Sequence, residues 1–155
     1  MEIMITSREA LEARARSPFP PRTAVISITD SDDPDADLLN PPDWLLRLKF
    51  DDVHNDLLEE VLGRRPTEEE ARILAENFHF ITEGQARQIA AFIREAAQPN
   101  MADTLICQCE YGQSRSAAVA AAARQYLAGD GIGIWADDRY YPNKLVFRMV
   151  TAALD

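Results

Sequence analysis

The sequence contains few residues that bind metals or form disulfides, with two cysteines and two histidines in 155 residues. Cys107 and Cys109 stand too close along one predicted strand to form a disulfide framework. Together with the distant His54 and His79, they match no recognised zinc spacing. We therefore expect no metal site, no cofactor and a reduced, cytoplasmic setting.

The sequence also has little positive charge and no long apolar run. Its 16 basic residues are outnumbered by 26 acidic ones, which gives a formal net charge of −10. An acidic surface repels nucleic acids and anionic membranes, so we expect neither as a partner. No apolar run approaches the roughly 20 residues of a membrane helix, and residues 1–17 mix charges where a signal peptide has an apolar core. The length and 46% hydrophobic content predict one domain spanning residues 1–155.

Short apolar segments that alternate with helical patterns predict an α/β fold. β-branched and apolar runs indicate strands at residues 3–5, 23–28, 44–50 and 104–109. Helical patterns lie between them, and the helix that begins near residue 82 is predicted by a Thr82–Gln85 capping box. Strands separated by helices imply a single α/β domain with a central, mostly parallel, twisted sheet of about four to five strands and helices on both faces.

Three further segments lie between or after these elements. Residues 56–80 are predicted to be an acidic helical insertion, with a Thr67–Glu70 capping box. Glycines 129, 131 and 133 predict a loop before the last helix, which follows Asn143. The acidic stretch 30–37 resembles a calcium loop superficially, but Asp35 stands where that loop needs glycine, so we expect a solvated loop.

Residues 108–116, Gln-Cys-Glu-Tyr-Gly-Gln-Ser-Arg-Ser, join a predicted strand to an alanine-rich helix. In parallel α/β sheets, sites lie at the carboxyl ends of strands, and Cys109 is at such an end. Backbone N–H groups at a helix N-terminus bind anions. The stretch therefore predicts an anion site that contains a nucleophilic thiol.

Each polar position of this loop suits an anion site. Arg115 offers a planar fork that matches two phosphate oxygens, and Gly112 permits the positive φ that turns N–H groups inward. The Ser116 hydroxyl can donate to the sulfur when the sulfur leaves. Tyr111 fits either stacking on an aromatic substrate or simple packing. The predicted phosphate-binding loop comprises Glu110, Tyr111, Gly112, Gln113, Ser114 and Arg115.

The pattern Cys-x-x-x-x-x-Arg-Ser with a central glycine resembles the cysteine-dependent protein tyrosine phosphatases. It is most similar to their compact, dual-specificity-like branch in bacteria. The resemblance covers most of the chain in outline, but only residues 109–116 are specific to the motif. It implies a phosphomonoester hydrolase in which Cys109 attacks phosphorus, Arg115 and the loop amides hold the equatorial oxygens, and a phosphocysteine forms and is hydrolysed.

The resemblance also implies a general acid, which in this family is an aspartate after a strand upstream of the nucleophile. The segment from Leu48 to Asp52 matches that position, and Asp52 is favoured over the alternative acid, Asp51. Asp35 and Asp43 each follow a proline, as the acid does in larger tyrosine phosphatases, but both precede the strand.

The sequence departs from the family at Gln108, where relatives usually carry histidine. Glutamine is uncharged, so we expect a less stabilised thiolate and a lower rate. Glu110 and Gln113 stand where phosphoinositide phosphatases tend to carry lysines, which disfavours a strongly anionic inositol lipid. The expected partner is a phosphorylated substrate, either a phosphotyrosine protein or a small aryl or alkyl phosphate.

Two alternatives use the same loop for other purposes. One is a non-catalytic phosphate-binding module, which recognises a phosphorylated partner without turnover. The other is a rhodanese-like sulfur transferase, which also holds an anion over a loop cysteine.

Overall fold

The computed structural model describes residues 1–54 and 56–155. Its centre is a four-stranded sheet of β1 (Glu2–Ser7), β2 (Thr23–Thr29), β3 (Trp44–Lys49) and β4 (Thr104–Cys109), in the spatial order β1-β4-β2-β3. The helices are α1 (Arg8–Arg14), α2 (Leu57–Leu62), α3 (Glu68–Asn77), α4 (Glu83–Ala96), α5 (Arg115–Ala128), α6 (Ile132–Trp135) and α7 (Lys144–Leu154).

All three strand pairs are parallel, which confirms the predicted parallel α/β fold. The register places Ser7 beside Cys109 and Ser27 beside Gln108, while Thr29 lies beside Lys49. The carboxyl ends of the four strands therefore meet at one edge of the sheet. Side chains that follow these strands are gathered at this edge.

Helices cover both faces of the sheet. Alternate residues of a strand point to opposite faces. Ile26 and Cys107 belong to the larger core, which α4, α5 and α7 complete, whereas Val25 and Ile106 belong to the smaller core beneath α1. Because both central strands are covered twice, β2 is buried along its whole length, as its apolar sequence predicted.

The alanine-rich helix α5 is the innermost helix. Residues 117–123 are all at most 1% exposed. Small side chains permit α5 to contact β1 and β4 on one side and α6 and α7 on the other. The first turn of α5 is thereby held firmly against the end of β4.

The structure confirms that one predicted segment is helical and corrects another. Residues 56–80 form two helices, because Gly63 adopts a φ of +70° and ends α2 before the Thr67–Glu70 capping box begins α3. Neither helix contributes a buried residue. The predicted loop at glycines 129–133 contains the short helix α6, which turns Ile134 into the core. No helix in the described part of the chain is both long and apolar enough to cross a membrane.

Candidate active site

Cys109 is the last residue of β4, and its side chain faces the larger core at the start of α5. The residue is 2% exposed. Its Sγ lies 3.0 Å from the Oγ of Ser116, in the first turn of α5. A hydroxyl at this distance can stabilise negative charge on the sulfur.

The loop between Cys109 and α5 rests against the end of β1. Gly112 adopts a φ of +67°, as predicted, and a Cβ placed on it would lie 2.6 Å from the Thr6 carbonyl carbon and 2.7 Å from the Ser7 nitrogen. Only glycine fits this close approach. Among the described residues, no acceptor receives a hydrogen bond from the backbone N–H groups of residues 110–114. These donors are available to an anion.

The Arg115 guanidinium is buried, since the residue is 3% exposed. Its Nη1 donates to the Phe50 carbonyl oxygen at 2.7 Å and lies 2.7 Å from a carboxylate oxygen of Asp30. Its Nε is also buried but has no acceptor in the described part of the chain. A buried guanidinium nitrogen without an acceptor fits a site whose ligand is an oxyanion.

Asp52 is exposed and contacts the phosphate-binding loop directly. Its Oδ1 accepts hydrogen bonds from the Ser114 hydroxyl at 2.7 Å and from the Asn143 Nδ2 at 2.9 Å. Asn143 also donates to the Val53 carbonyl oxygen, and its own Oδ1 caps the first turn of α7. The segment after β3, the loop and α7 are thus linked at one carboxylate.

Asp51 points away from this loop and is 8% exposed. Its carboxylate accepts the Ser31 N–H at 3.0 Å, the Ser31 hydroxyl at 2.8 Å and the His79 N–H at 2.6 Å. Burial by itself raises the pKa of Asp51, but these hydrogen bonds outweigh it and hold the pKa below 3.8. Asp51 is therefore an ionised structural carboxylate that joins three segments.

The side chain of Gln108 is fully buried and faces the side of the sheet opposite the Cys109 thiol. Its Oε1 accepts a hydrogen bond from the Ser27 hydroxyl, and its Nε2 donates to the Ile28 carbonyl oxygen at 3.3 Å. Gln108 thus stabilises the end of β2 and has no direct path to the sulfur.

The remaining predicted loop positions differ in exposure. Tyr111 is 77% exposed, so the packing interpretation of its side chain is wrong. Gln113 is also exposed, and its carbonyl oxygen accepts the Tyr141 N–H at 2.8 Å. Glu110 is partly buried, and its Oε2 has no donor among the described residues.

The acidic stretch 30–37 after β2 is a loop in which Asp32, Asp35 and Asp37 are exposed, as expected, whereas Asp30 and Asp33 are half-buried. Asp30 pairs with Arg115, and ligand atoms of Asp30, Asp33 and Glu110 lie within 4.8 Å of one another. Of the other aspartates considered as acids, Asp35 contacts Lys49 at 3.4 Å. Asp43 lies before β3, at the opposite edge of the sheet from Cys109.

A cleft of roughly 540 Å³ opens beside Asp52 and Ser114. Aromatic side chains of Trp135, Tyr140 and Tyr141 line it. Ionisable side chains line another part of this cleft, where Glu60 contacts Lys144 at 3.0 Å and His54 at 3.5 Å. The Lys144 ammonium lowers the pKa of Glu60.

Sequence reasoning missed two residues of this site, Asp30 and the polar side chain of Asn143. Asp30 is the first residue after β2 at the carboxyl edge of the sheet, which is a usable signal once the sheet is known to be parallel. Asn143 was visible as a helix start, but its contact with Asp52 joins residues 91 positions apart.

No protein-family model and no curated protein matches the chain. Solved structures do match it. The crystal structure of human DUSP28 is similar with a TM-score of 0.57 and 16% identity, over 98% of this chain and 90% of that chain. The crystal structure of PTPMT1 is similar with a TM-score of 0.50 and 12% identity, over 99% of this chain and 89% of that chain. The likeness shows that the chain shares the fold of these two proteins.

Proposed function

We propose that the protein is a cysteine-dependent phosphomonoester hydrolase of the protein tyrosine phosphatase type. The observation that carries this proposal is the convergence of a thiol, an anion-binding loop and a carboxyl group at one edge of the sheet. Asp52 contacts the loop through Ser114 at 2.7 Å, and Ser116 contacts the Cys109 sulfur at 3.0 Å. The shared fold with two cysteine-based phosphatases supports the proposal.

In the first step, the Cys109 thiolate attacks phosphorus in line, an S–P bond forms and the P–O bond to the leaving group breaks. Asp52 gives its proton to the leaving oxygen. Arg115 and the loop N–H groups hold the three equatorial oxygens, on which negative charge is distributed. This step leaves a phosphocysteine and a free alcohol or phenol.

In the second step, a water molecule attacks the phosphocysteine and the Asp52 carboxylate takes a proton from that water. The S–P bond breaks, and the Cys109 sulfur leaves as a thiolate. The Ser116 hydroxyl donates to this sulfur and so lowers the energy of the leaving group. Inorganic phosphate is released, and Cys109 and Asp52 return to their starting protonation states.

The cleft beside Asp52 supports a substrate with a flat or aromatic group. Trp135, Tyr140 and Tyr141 offer ring surfaces there, and Tyr111 is exposed on the loop itself. Glu110 and the acidic residues near it disfavour substrates with several phosphates. We therefore favour a phosphotyrosine side chain or a small aryl phosphate. Since the chemistry needs a free thiol, we also place the protein in a reducing compartment such as the cytoplasm of a bacterium.

Hydrolysis of an aryl phosphate tests the proposal. The wild-type protein is expected to release phosphate at mildly acidic to neutral pH, whereas Cys109→Ser is expected to be inactive. Wild-type activity no greater than that of Cys109→Ser would overturn the enzyme proposal. Persulfide formation from thiosulfate in the same preparation would instead support a sulfur transferase.

A non-catalytic phosphate-binding module is the second candidate. It is favoured by one observation, which is that the Oδ1 of Asp52 already accepts two hydrogen bonds, from Ser114 and Asn143. Such a carboxylate can stabilise the loop without transferring a proton. Binding of inorganic phosphate without turnover would support this candidate.

A further inference from the structure

The carboxylate of Asp30 contacts the guanidinium of Arg115 at 2.7 Å. We propose that Asp30 is a positioning residue, which fixes the guanidinium so that its Nε edge faces the bound oxyanion. This inference rests on the proposed phosphate site, but it concerns a residue outside the Cys109–Ser116 loop.

The contacts of Arg115 determine both the place and the rotation of its guanidinium. One nitrogen, Nη1, donates to the Phe50 carbonyl oxygen after β3 and forms an ion pair with the Asp30 carboxylate after β2. Since the guanidinium is planar, a hydrogen bond and an ion pair on one nitrogen restrict the rotation of the whole group. The buried Nε has no acceptor in the described chain, so its N–H remains for a ligand.

The end of β2 is held in a way that places Asp30. The β2–β4 pairing ends at Ser27 and Gln108, whose side chains are hydrogen-bonded to each other. Gln108 also binds the Ile28 carbonyl oxygen. Beyond this point β2 pairs with β3 alone, through Thr29 and Lys49. Asp30 therefore follows β2 at a point where β2 no longer pairs with β4, so no β2–β4 residue pair lies between Asp30 and Arg115.

The negative charge of Asp30, taken alone, predicts that this residue weakens phosphate binding. Asp30, Asp33 and Glu110 form a group of carboxylates within 4.8 Å of one another, and each of them repels a phosphate bound to the loop. If Asp30 acted only through its charge, its removal would strengthen phosphate binding. If it positions Arg115, its removal weakens phosphate binding. Asp33 belongs to the same group and supplies a matched control.

Calorimetric titration with inorganic phosphate separates these two effects. We expect Asp30→Asn to weaken phosphate binding about tenfold, because the guanidinium loses the ion pair that holds it in place. We expect Asp33→Asn to bind phosphate as tightly as the wild type or more tightly. Equal or tighter binding by Asp30→Asn would overturn the inference. If Asp30→Asn does not fold, the same comparison is made with Asp30→Ser.

A spectroscopic signal distinguishes positioning from a general loss of structure. The Arg115 Nε–H resonance, assigned by its disappearance in Arg115→Lys, is expected to be sharp in the wild type and to shift when phosphate is added. In Asp30→Asn it is expected to broaden, while the unfolding temperature stays within a few degrees of the wild type. An unchanged resonance in Asp30→Asn would contradict the inference. Absence of phosphate binding in the wild type would instead overturn the proposed function, and the role of Asp30 with it.

Discussion

Replacement of Asp51 and of its neighbour Asp52 by asparagine is predicted to have different effects, on stability for Asp51 and on the rate for Asp52. Asp51→Asn puts an amide NH₂ against a backbone N–H of Ser31 or His79, because both carboxylate oxygens of Asp51 already accept hydrogen bonds. A buried donor without an acceptor, together with the lost charge assistance, costs about 3 kcal/mol. For a chain of this length, that loss lowers the unfolding temperature by about 6–12 °C.

Asp52→Asn is expected to affect the rate and leave stability nearly unchanged. The residue is exposed, and the remaining oxygen of the asparagine can still accept from Ser114 and Asn143. Loss of a general acid lowers the rate by about 10²–10⁴. The loss should be largest for alkyl phosphates, whose leaving oxygen needs a proton, and small for aryl phosphates with acidic phenols.

Both variants are compared by calorimetric unfolding and by the dependence of kcat/KM on the leaving group. The pH dependence supplies a further check. Because the folded-state pKa of Asp51 lies below its unfolded value of 3.8, its contribution to stability is present above that pH and is lost as pH falls through the folded-state pKa. The difference in stability between wild type and Asp51→Asn should therefore shrink in acid. A larger rate loss in Asp51→Asn than in Asp52→Asn would refute the assignment of the acid.

Three further substitutions test the loop and its support. Gly112→Ala should abolish phosphate binding and destabilise the fold. Gly129→Ala is the control, because Gly129 has the same kind of positive φ but open space around it, and it should cost only about 1–2 kcal/mol in unfolding free energy. Equal costs for the two variants would contradict the close packing of the loop. Ser116→Ala should slow release of the Cys109 thiolate about tenfold or more, so that phosphocysteine accumulates and product appears in a burst; an unchanged second step would exclude this role. Gln108→Met keeps the side-chain volume but leaves two buried polar groups unpaired. It should lower the free energy of unfolding, measured by denaturant titration, by about 2–4 kcal/mol. An unchanged free energy of unfolding would show that these hydrogen bonds contribute nothing to stability.

Much of the fold could be predicted from the sequence because its signals are local. The uninterrupted apolar run of β2 indicated a strand buried on both faces, and the capping boxes at Thr67 and Thr82 marked the helix starts that the structure contains. The order of strands was not predicted, since pairing of β4 between β1 and β2 depends on contacts that are distant in sequence. The helix α6 was missed because burial of Ile134 outweighs the glycines around it.

The candidate site was predictable only where its residues are close in sequence. The spacing of Cys109, Gly112 and Arg115 identified the loop, but the same reasoning gave Asp30, in its solvated loop, no contact with the site. Its contact with Arg115 spans 85 positions, and it follows from the parallel register of β2 with β4. Gln108 was expected to leave the Cys109 thiolate less stabilised and the rate lower, which stays a prediction. The alternation of side chains along β4 places the Gln108 side chain on the face opposite the thiol, which the sequence reasoning did not use.

Mass spectrometry of the acid-quenched enzyme tests the central claim most directly. During turnover of an aryl phosphate, the peptide that contains Cys109 is predicted to carry one phosphoryl group, with Cys107 unmodified because it is buried in the core and burial raises the pKa of its thiol. Cys109→Ser should give neither the phosphorylated cysteine nor turnover. Rapid hydrolysis without phosphorus on Cys109, or with turnover retained in Cys109→Ser, would contradict the account.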